Sequence, residues 1–100
     1  MKIEVIKFKK YFFNNFNKLD NHIQDIFYKK LEIIETNDYI TKQLKFGEHP
    51  YEIRCLRIGK QRFIFILKDN IATFLDVMYR ELGYQSTYMK KLIKIYEKSD

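Results

Sequence analysis

Three arginines in the second half of the chain could bind phosphate. Arg54, Arg62 and Arg80 each lie in, or at the end of, an apolar strand-like stretch. An arginine in such a stretch must face water, an opposite charge or a bound anion, because burying its charge alone is costly. The guanidinium group can bind phosphate oxygens through two parallel hydrogen bonds. We therefore predict that one face of a sheet carries these arginines and binds phosphate.

The elements that would position the arginines are three consecutive strands. They are predicted at 51–58, 61–68 and 71–79, with turns at Gly59-Lys60 and Asp69-Asn70. Short turns between β-patterned runs indicate an antiparallel meander. Assigning faces by alternation, we place the helices on the side of Ile53 and Phe65. The opposite side is then expected to carry the charged residues, which are Glu52, Arg54, Arg62, Asp76 and Arg80.

Ion pairing is the competing explanation for these charges. Asp76 with Arg80, or Glu52 with Arg62, would form pairs of opposite charge on the sheet. Opposite charges that face each other across strands stabilise a sheet modestly. Residue types alone do not decide between a phosphate-binding face and a face of internal ion pairs.

The remaining patterns complete a single α+β domain spanning residues 1–100. A strand is predicted at 1–7, a short helix at 8–16, and a longer helix from a cap at Asp20 or Asn21 to about residue 35. Residues 39–50 form a connection. The order β-α-α-β-β-β-α predicts a small antiparallel sheet with helices packed on one face.

The last helix, predicted at about 85–98, is strongly amphipathic. Its polar face repeats lysine every four residues, at Lys90, Lys94 and Lys98. This stripe is a candidate RNA-binding surface. A solvated charged face is the commonest alternative explanation.

Composition restricts the partners and the compartment. The net charge of +6 favours a polyanionic partner. Cys55 is the only cysteine, which suits a reducing cytoplasm, and it is predicted to be a small core residue. We expect neither a secretion signal nor a membrane span. No metal or organic cofactor is expected, since the chain has no Cys/His ligand set and no glycine-rich phosphate loop.

Three motifs, taken in order, resemble the RelE/ParE superfamily of type II toxin–antitoxin toxins. They are an aromatic–x–aliphatic–basic strand at 51–54, a Gly–x–x–Arg hairpin entering an apolar strand at 59–65, and an Arg…Tyr ending at 79–84. The predicted element order also matches this superfamily. The chain departs from it at Tyr79, where a histidine is common.

In the ribonuclease branch, the resemblance implies ribosome-dependent cleavage of mRNA. The RNA 2′-hydroxyl attacks the adjacent phosphate and leaves a 2′,3′-cyclic phosphate. The resemblance implies that Arg54, Arg62 and Arg80 hold the scissile phosphate. It makes Glu52 the candidate base, with pairing to Arg62 as its alternative role. Tyr84 would stack on a base or assist proton transfer, or else pack at the root of the last helix.

The resemblance also implies partners, and it leaves other functions open. A cognate antitoxin, a small acidic protein, would cover the basic groove, and the targets would be the ribosome and mRNA.

His49, beside Pro50, is a further candidate acid or base. A ParE-like toxin that inhibits DNA gyrase without cutting RNA is one alternative, because one fold supports both activities. A basic nucleic-acid or protein-interaction module is another.

Overall fold

The structure is a computed structural model that describes residues 3–34, 40–44, 50–79 and 86–98. In chain order the elements are β1 (Val5–Phe8), α1 (Phe12–Phe16), α2 (Asn21–Leu31), β2 (Thr41–Gln43), β3 (Glu52–Ile58), β4 (Gln61–Lys68), β5 (Ile71–Tyr79) and α3 (Ser86–Glu97). The predicted α+β class is confirmed. Strand β2 was not predicted, because three residues within a connecting segment are too few to show alternation.

The five strands form one sheet in the order β1-β5-β4-β3-β2. The predicted antiparallel meander of β3, β4 and β5 is confirmed. The sheet is mixed rather than wholly antiparallel, because β1 runs parallel to β5, with Val5 opposite Ile71. A parallel pair needs a long crossover, and the chain between β1 and β5 includes α1 and α2 as well as three strands.

The two turns of the meander explain why its strand boundaries were predictable. Gly59 has a φ of +58°, in the left-handed region that glycine enters without a steric cost. Asp69 and Asn70 have φ values of 54° and 63°. Aspartate and asparagine tolerate this conformation better than other side chains, and it suits the tight turn of a hairpin.

Helices α1 and α2 cover one side of the sheet, which we call the aromatic face. The Asp20 carboxylate caps α2 by accepting a hydrogen bond from the His22 N–H at 2.7 Å. The rings of Phe27 and Phe63 stack with centroids 4.5 Å apart. Six phenylalanines form the centre of this core, namely Phe12, Phe16, Phe27, Phe63, Phe65 and Phe74. Such rings bury the most apolar area of any side chain in a small core.

Helix α3 packs on the opposite side of the sheet, which we call the α3 face. Its Met89 and Leu92 are fully buried against a second cluster that includes Ile53, Ile64 and Ile66. The expectation that all helices pack on one face is therefore wrong for α3. Both faces of the central strands are apolar, so each face needs a cover. None of the helices in the described segments is long and apolar enough to cross a membrane.

The register of the β3–β4 hairpin assigns side chains to faces differently from the sequence prediction. Ile58 faces Gln61 across the turn, so odd-numbered residues of β3 face even-numbered residues of β4. Arg54 consequently lies opposite Phe65, on the aromatic face. Alternation places Arg62 with Ile64 on the α3 face. The prediction that Ile53 and Phe65 share one side, with the arginines on the other, is wrong.

Candidate functional site

Arg54 is held on the aromatic face by groups of the chain itself. Its guanidinium donates to the Glu52 carboxylate at 3.1 Å and to the Thr41 hydroxyl at 3.0 Å. A longer contact reaches the Thr41 carbonyl oxygen at 3.5 Å. The Arg54 side chain is only 14% exposed. These contacts fasten the edge strand β2 to β3.

Arg62 lies on the α3 face, directly opposite Arg57 in the β3–β4 hairpin. Residues that face each other in this way have Cβ atoms about 4.5–5.5 Å apart. Arg57 is exposed and Arg62 is partly exposed. The hairpin register therefore places two arginine side chains next to each other on one face, and guanidinium groups bind anions through two hydrogen bonds. We call Arg57 and Arg62 the arginine pair.

Arg57 is a candidate that the sequence prediction missed. If odd-numbered residues are taken to lie on the same face in both strands, Arg57 and Arg62 fall on opposite faces. Counting outward from the two-residue turn instead places it opposite Arg62, as the structure has it. The signal was therefore present in the sequence, in the length of the turn.

Glu52 and Arg54 do not share a site with Arg62. Glu52 faces Leu67, which lies five residues along β4 from Arg62. That separation is roughly 17 Å at about 3.3 Å per residue. Glu52 is also on the opposite face and pairs with Arg54. The predicted ion pair between Glu52 and Arg62 is therefore wrong, and one phosphate cannot contact Arg54 and Arg62 together.

Arg80, Tyr84 and His49 lie outside the described residues. Their predicted roles stay predictions. In the sequence, Arg80 follows directly on Tyr79, the last residue of β5. Tyr79 pairs with Gln61 at the same end of the sheet as the arginine pair.

Asp76 was predicted on a charged face and is instead a buried anchor between elements. It is 2% exposed. Its Oδ1 accepts hydrogen bonds from the Asn15 side-chain amide at 2.9 Å and from the Val77 N–H at 2.8 Å. The Tyr88 hydroxyl donates to its Oδ2 at 2.5 Å. Three donors compensate the buried charge and attach α1 and the first turn of α3 to β5.

A bulge in β5 brings Asp76 to this position. Ile64 pairs with Asp76 and Phe65 pairs with Phe74, which leaves Leu75 as the extra residue. The simple alternation of a regular strand is therefore interrupted just before Asp76. A face assignment made from alternation alone cannot anticipate such a bulge.

The lysine stripe lies on the outer surface of α3 and just beyond its end. Lys90, Lys94 and Lys98 are all exposed, while Met89 and Leu92 are buried. The predicted amphipathic character of this helix is confirmed. RNA binding by the three lysines stays a prediction.

Protonated side chains help to hold α3 in place. The hydrogen bond from the Tyr51 hydroxyl to the Glu97 carboxylate, 2.6 Å long, raises the pKa of Tyr51. A hydrogen bond with Tyr11 raises the pKa of Lys91. Burial is the main cause that raises the pKa of Tyr96. Because all three pKa values are raised in the folded state, the folded state is favoured while these groups are protonated, and this contribution is lost as the pH rises through those values.

The described residues offer few groups for metal or thiol chemistry. Within the described segments, no three His, Cys, Asp or Glu side chains come together in a way that could hold a metal ion. Cys55 is 1% exposed and belongs to the core of the α3 face, as the sequence predicted. A thiol in such a setting is a packing group rather than a nucleophile.

Comparison with solved structures identifies the fold. The chain is similar to a chain of the crystal structure of the archaeal RelE-RelB complex from Pyrococcus horikoshii OT3, with a TM-score of 0.63 and 18% sequence identity. The similarity covers 83% of this chain and 100% of the archaeal chain. No protein-family model matches the sequence, and no curated protein matches it either. The protein therefore has a RelE-like fold.

Proposed function

We propose that this protein is the toxin of a type II toxin–antitoxin pair and that it cuts mRNA on the ribosome. The observation that carries the proposal is the arginine pair, in which Arg57 and Arg62 face each other on the α3 face of a RelE-like fold. The planar fork of a guanidinium fits the oxygens of a phosphate group, and arginines that lie side by side on one face can bind the same phosphate.

The proposed reaction is an internal transfer within the RNA. The 2′-hydroxyl oxygen attacks the adjacent phosphorus, and the bond to the 5′-oxygen of the next nucleotide breaks. The attacking hydroxyl loses its proton and the leaving oxygen gains one. The arginine pair stabilises the negative charge that develops on the phosphate oxygens. This step needs no redox partner and no cofactor.

Other residues have more limited roles in this proposal. Arg80 and Tyr84 remain candidates for phosphate binding and for stacking or proton transfer, on the strength of the sequence. The stripe of Lys90, Lys94 and Lys98 would add contacts to ribosomal or messenger RNA. Glu52 is not retained as the base, because it pairs with Arg54 on the other face. An enzyme that acts on translating ribosomes would work in the cytoplasm.

An antitoxin is the proposed protein partner. The similar archaeal chain comes from a RelE-RelB complex, which supports such a partner for this fold. The net charge of +6 favours an acidic one. Binding over the arginine pair would replace RNA phosphates by carboxylates, which guanidinium groups also bind through two bonds.

The test is cleavage of a defined mRNA in a cell-free translation reaction, with the ends mapped by primer extension. We expect cuts at ribosome-occupied codons, and roughly a hundredfold slower cutting by Arg62→Ala, the loss typical when one group that stabilises the transition state is removed. Arg62→Lys should recover only part of the activity, since it keeps the charge and loses the fork. Lys29→Ala, which removes an exposed charge on α2, is the matched control and should cut normally.

Two results would change the proposal. Wild-type cutting by Arg62→Ala would remove the arginine pair from the site. Intact mRNA with the wild-type protein would refute the ribonuclease, and a DNA supercoiling assay would then test the gyrase-inhibiting alternative. If both the mRNA and DNA supercoiling were unaffected, the result would favour a basic nucleic-acid or protein-interaction module.

A further inference from the structure

A groove at one end of the sheet lies on the face opposite to the arginine pair. It has a volume of about 240 Å³ and is lined by Asn15, Lys18, Leu19, Gln61, Val77 and Tyr79. Gln61 and Tyr79 are directly opposite each other on the sheet. Gln61 is also the residue before Arg62, so the groove and the arginine pair meet at the start of β4.

The residues that line the groove suit a flat ring that carries polar groups at its edge. Val77 and Leu19 supply apolar contact, and Tyr79 supplies an aromatic ring. The Gln61 amide can both donate and accept hydrogen bonds, as the edge of a base requires. The volume is below the ~300–1,000 Å³ typical of pockets for drug-sized ligands. It suits a single ring system rather than a whole nucleotide.

Neighbouring contacts hold the walls of the groove. The Asn15 amide donates to the buried Asp76 carboxylate at 2.9 Å, which fixes its position on α1. The Lys60 ammonium lies 6.0 Å from the centre of the Tyr79 ring. Within the part of the chain that the structure describes, no hydrogen bond or ion pair engages the Gln61 or Lys18 side chain. Both groups are available to a ligand.

We propose that this groove binds a nucleobase that flanks the phosphate held by the arginine pair. The inference rests on the proposed function, and it assigns the base-reading part of that site. The RNA strand would cross the end of the sheet at the β3–β4 turn. Its phosphate would lie on the α3 face, and a neighbouring base would enter the groove, stack on Tyr79 and present its edge to Gln61. Lys18 and Lys60 would contact adjoining phosphates.

Direct binding tests the groove without the ribosome. We would titrate the isotope-labelled protein with each of the four nucleoside 5′-monophosphates and, separately, with ribose 5-phosphate, and follow the side-chain amide of Gln61 by NMR. We expect the nucleotides to shift this signal and to bind at least several-fold more tightly than ribose 5-phosphate. Tyr79→Ala should weaken nucleotide binding about tenfold, as the loss of one stacked base does.

Matched variants separate base recognition from general RNA affinity. Gln61→Leu should change the relative affinities for the four nucleotides and the codons that are cut. Gln43→Leu, an exposed glutamine on β2, should change neither. Equal binding of ribose 5-phosphate and nucleotides, or an unchanged codon preference in Gln61→Leu, would overturn the proposal. If the protein bound nucleotides selectively by base but did not cut mRNA on the ribosome, the proposal that the groove binds a nucleobase would be supported. Only the proposed ribonuclease activity would then be refuted.

Discussion

Replacing Arg54 by alanine should destabilise the protein, because this arginine holds two strands together. Its charged group donates a hydrogen bond 3.0 Å long to the hydroxyl of Thr41, a residue that is only 8% exposed. A bond of this kind contributes about 1.5–3 kcal/mol. The pair with Glu52 contributes only about 0–1 kcal/mol, since the Glu52 side chain is 40% exposed. Together these contributions predict a loss of about 1.5–4 kcal/mol in the free energy of unfolding. For a domain of this size, the thermal midpoint should fall by roughly 6–32 °C.

The matched variant is Arg57→Ala on the same strand. Arg57 is exposed, and among the described residues it forms no ion pair, so its removal should change stability by less than about 0.5 kcal/mol. Thermal and urea unfolding followed by circular dichroism would measure both variants, and the mRNA cleavage assay would follow. Arg57→Ala should keep the stability and lose activity. An Arg54→Ala protein with wild-type stability but no cleavage would refute the reasoning, because it would assign Arg54 to RNA rather than to β2.

Two further predictions concern the attachment of α3. Tyr88→Phe removes one of the donors to the buried Asp76 carboxylate and should cost about 1–3 kcal/mol in urea unfolding; a loss below about 0.5 kcal/mol would show that α3 does not depend on this bond. Because the pKa values of Tyr51 and Tyr96 are raised in the folded state, stability should be constant at neutral pH and fall as the pH rises above about 10. Tyr51→Phe should make that fall shallower in thermal melts taken between about pH 8 and 11, and an unchanged pH profile in this variant would contradict the role given to the Tyr51–Glu97 bond.

Local sequence signals predicted the meander well and its side-chain orientation poorly. The bounds of β4 and β5 match the prediction to the residue, since Gly59 and the Asp69-Asn70 pair force the turns. Which side chains share a face depends on how strands pair across a turn, and alternation along one strand does not contain that information. The parallel pairing of β1 with β5 is a similar case, because it joins distant parts of the chain.

The candidate site was predictable in residue type rather than in arrangement. Arginines in apolar strands made Arg62 a candidate site residue from the sequence, and the structure places Arg62 opposite Arg57. Arg57, and not Arg54, shares a face with Arg62, because the register of the β3–β4 hairpin pairs Arg57 with Arg62 and Arg54 with Phe65. Asp76 could not be recognised as an anchor, since a bulge and side chains from two distant helices create its environment.

The parallel pairing of β1 has a consequence for how the chain folds. Val5 meets Ile71, 66 residues later in the chain, while β3, β4 and β5 pair with their sequence neighbours. Closing so long a loop costs entropy before any contact is gained, which slows folding. We therefore expect the meander to form first and β1 to dock last. During synthesis, the first strand would stay unpaired until β5 had left the ribosome. The protein would then acquire its complete sheet only after most of its length had been translated.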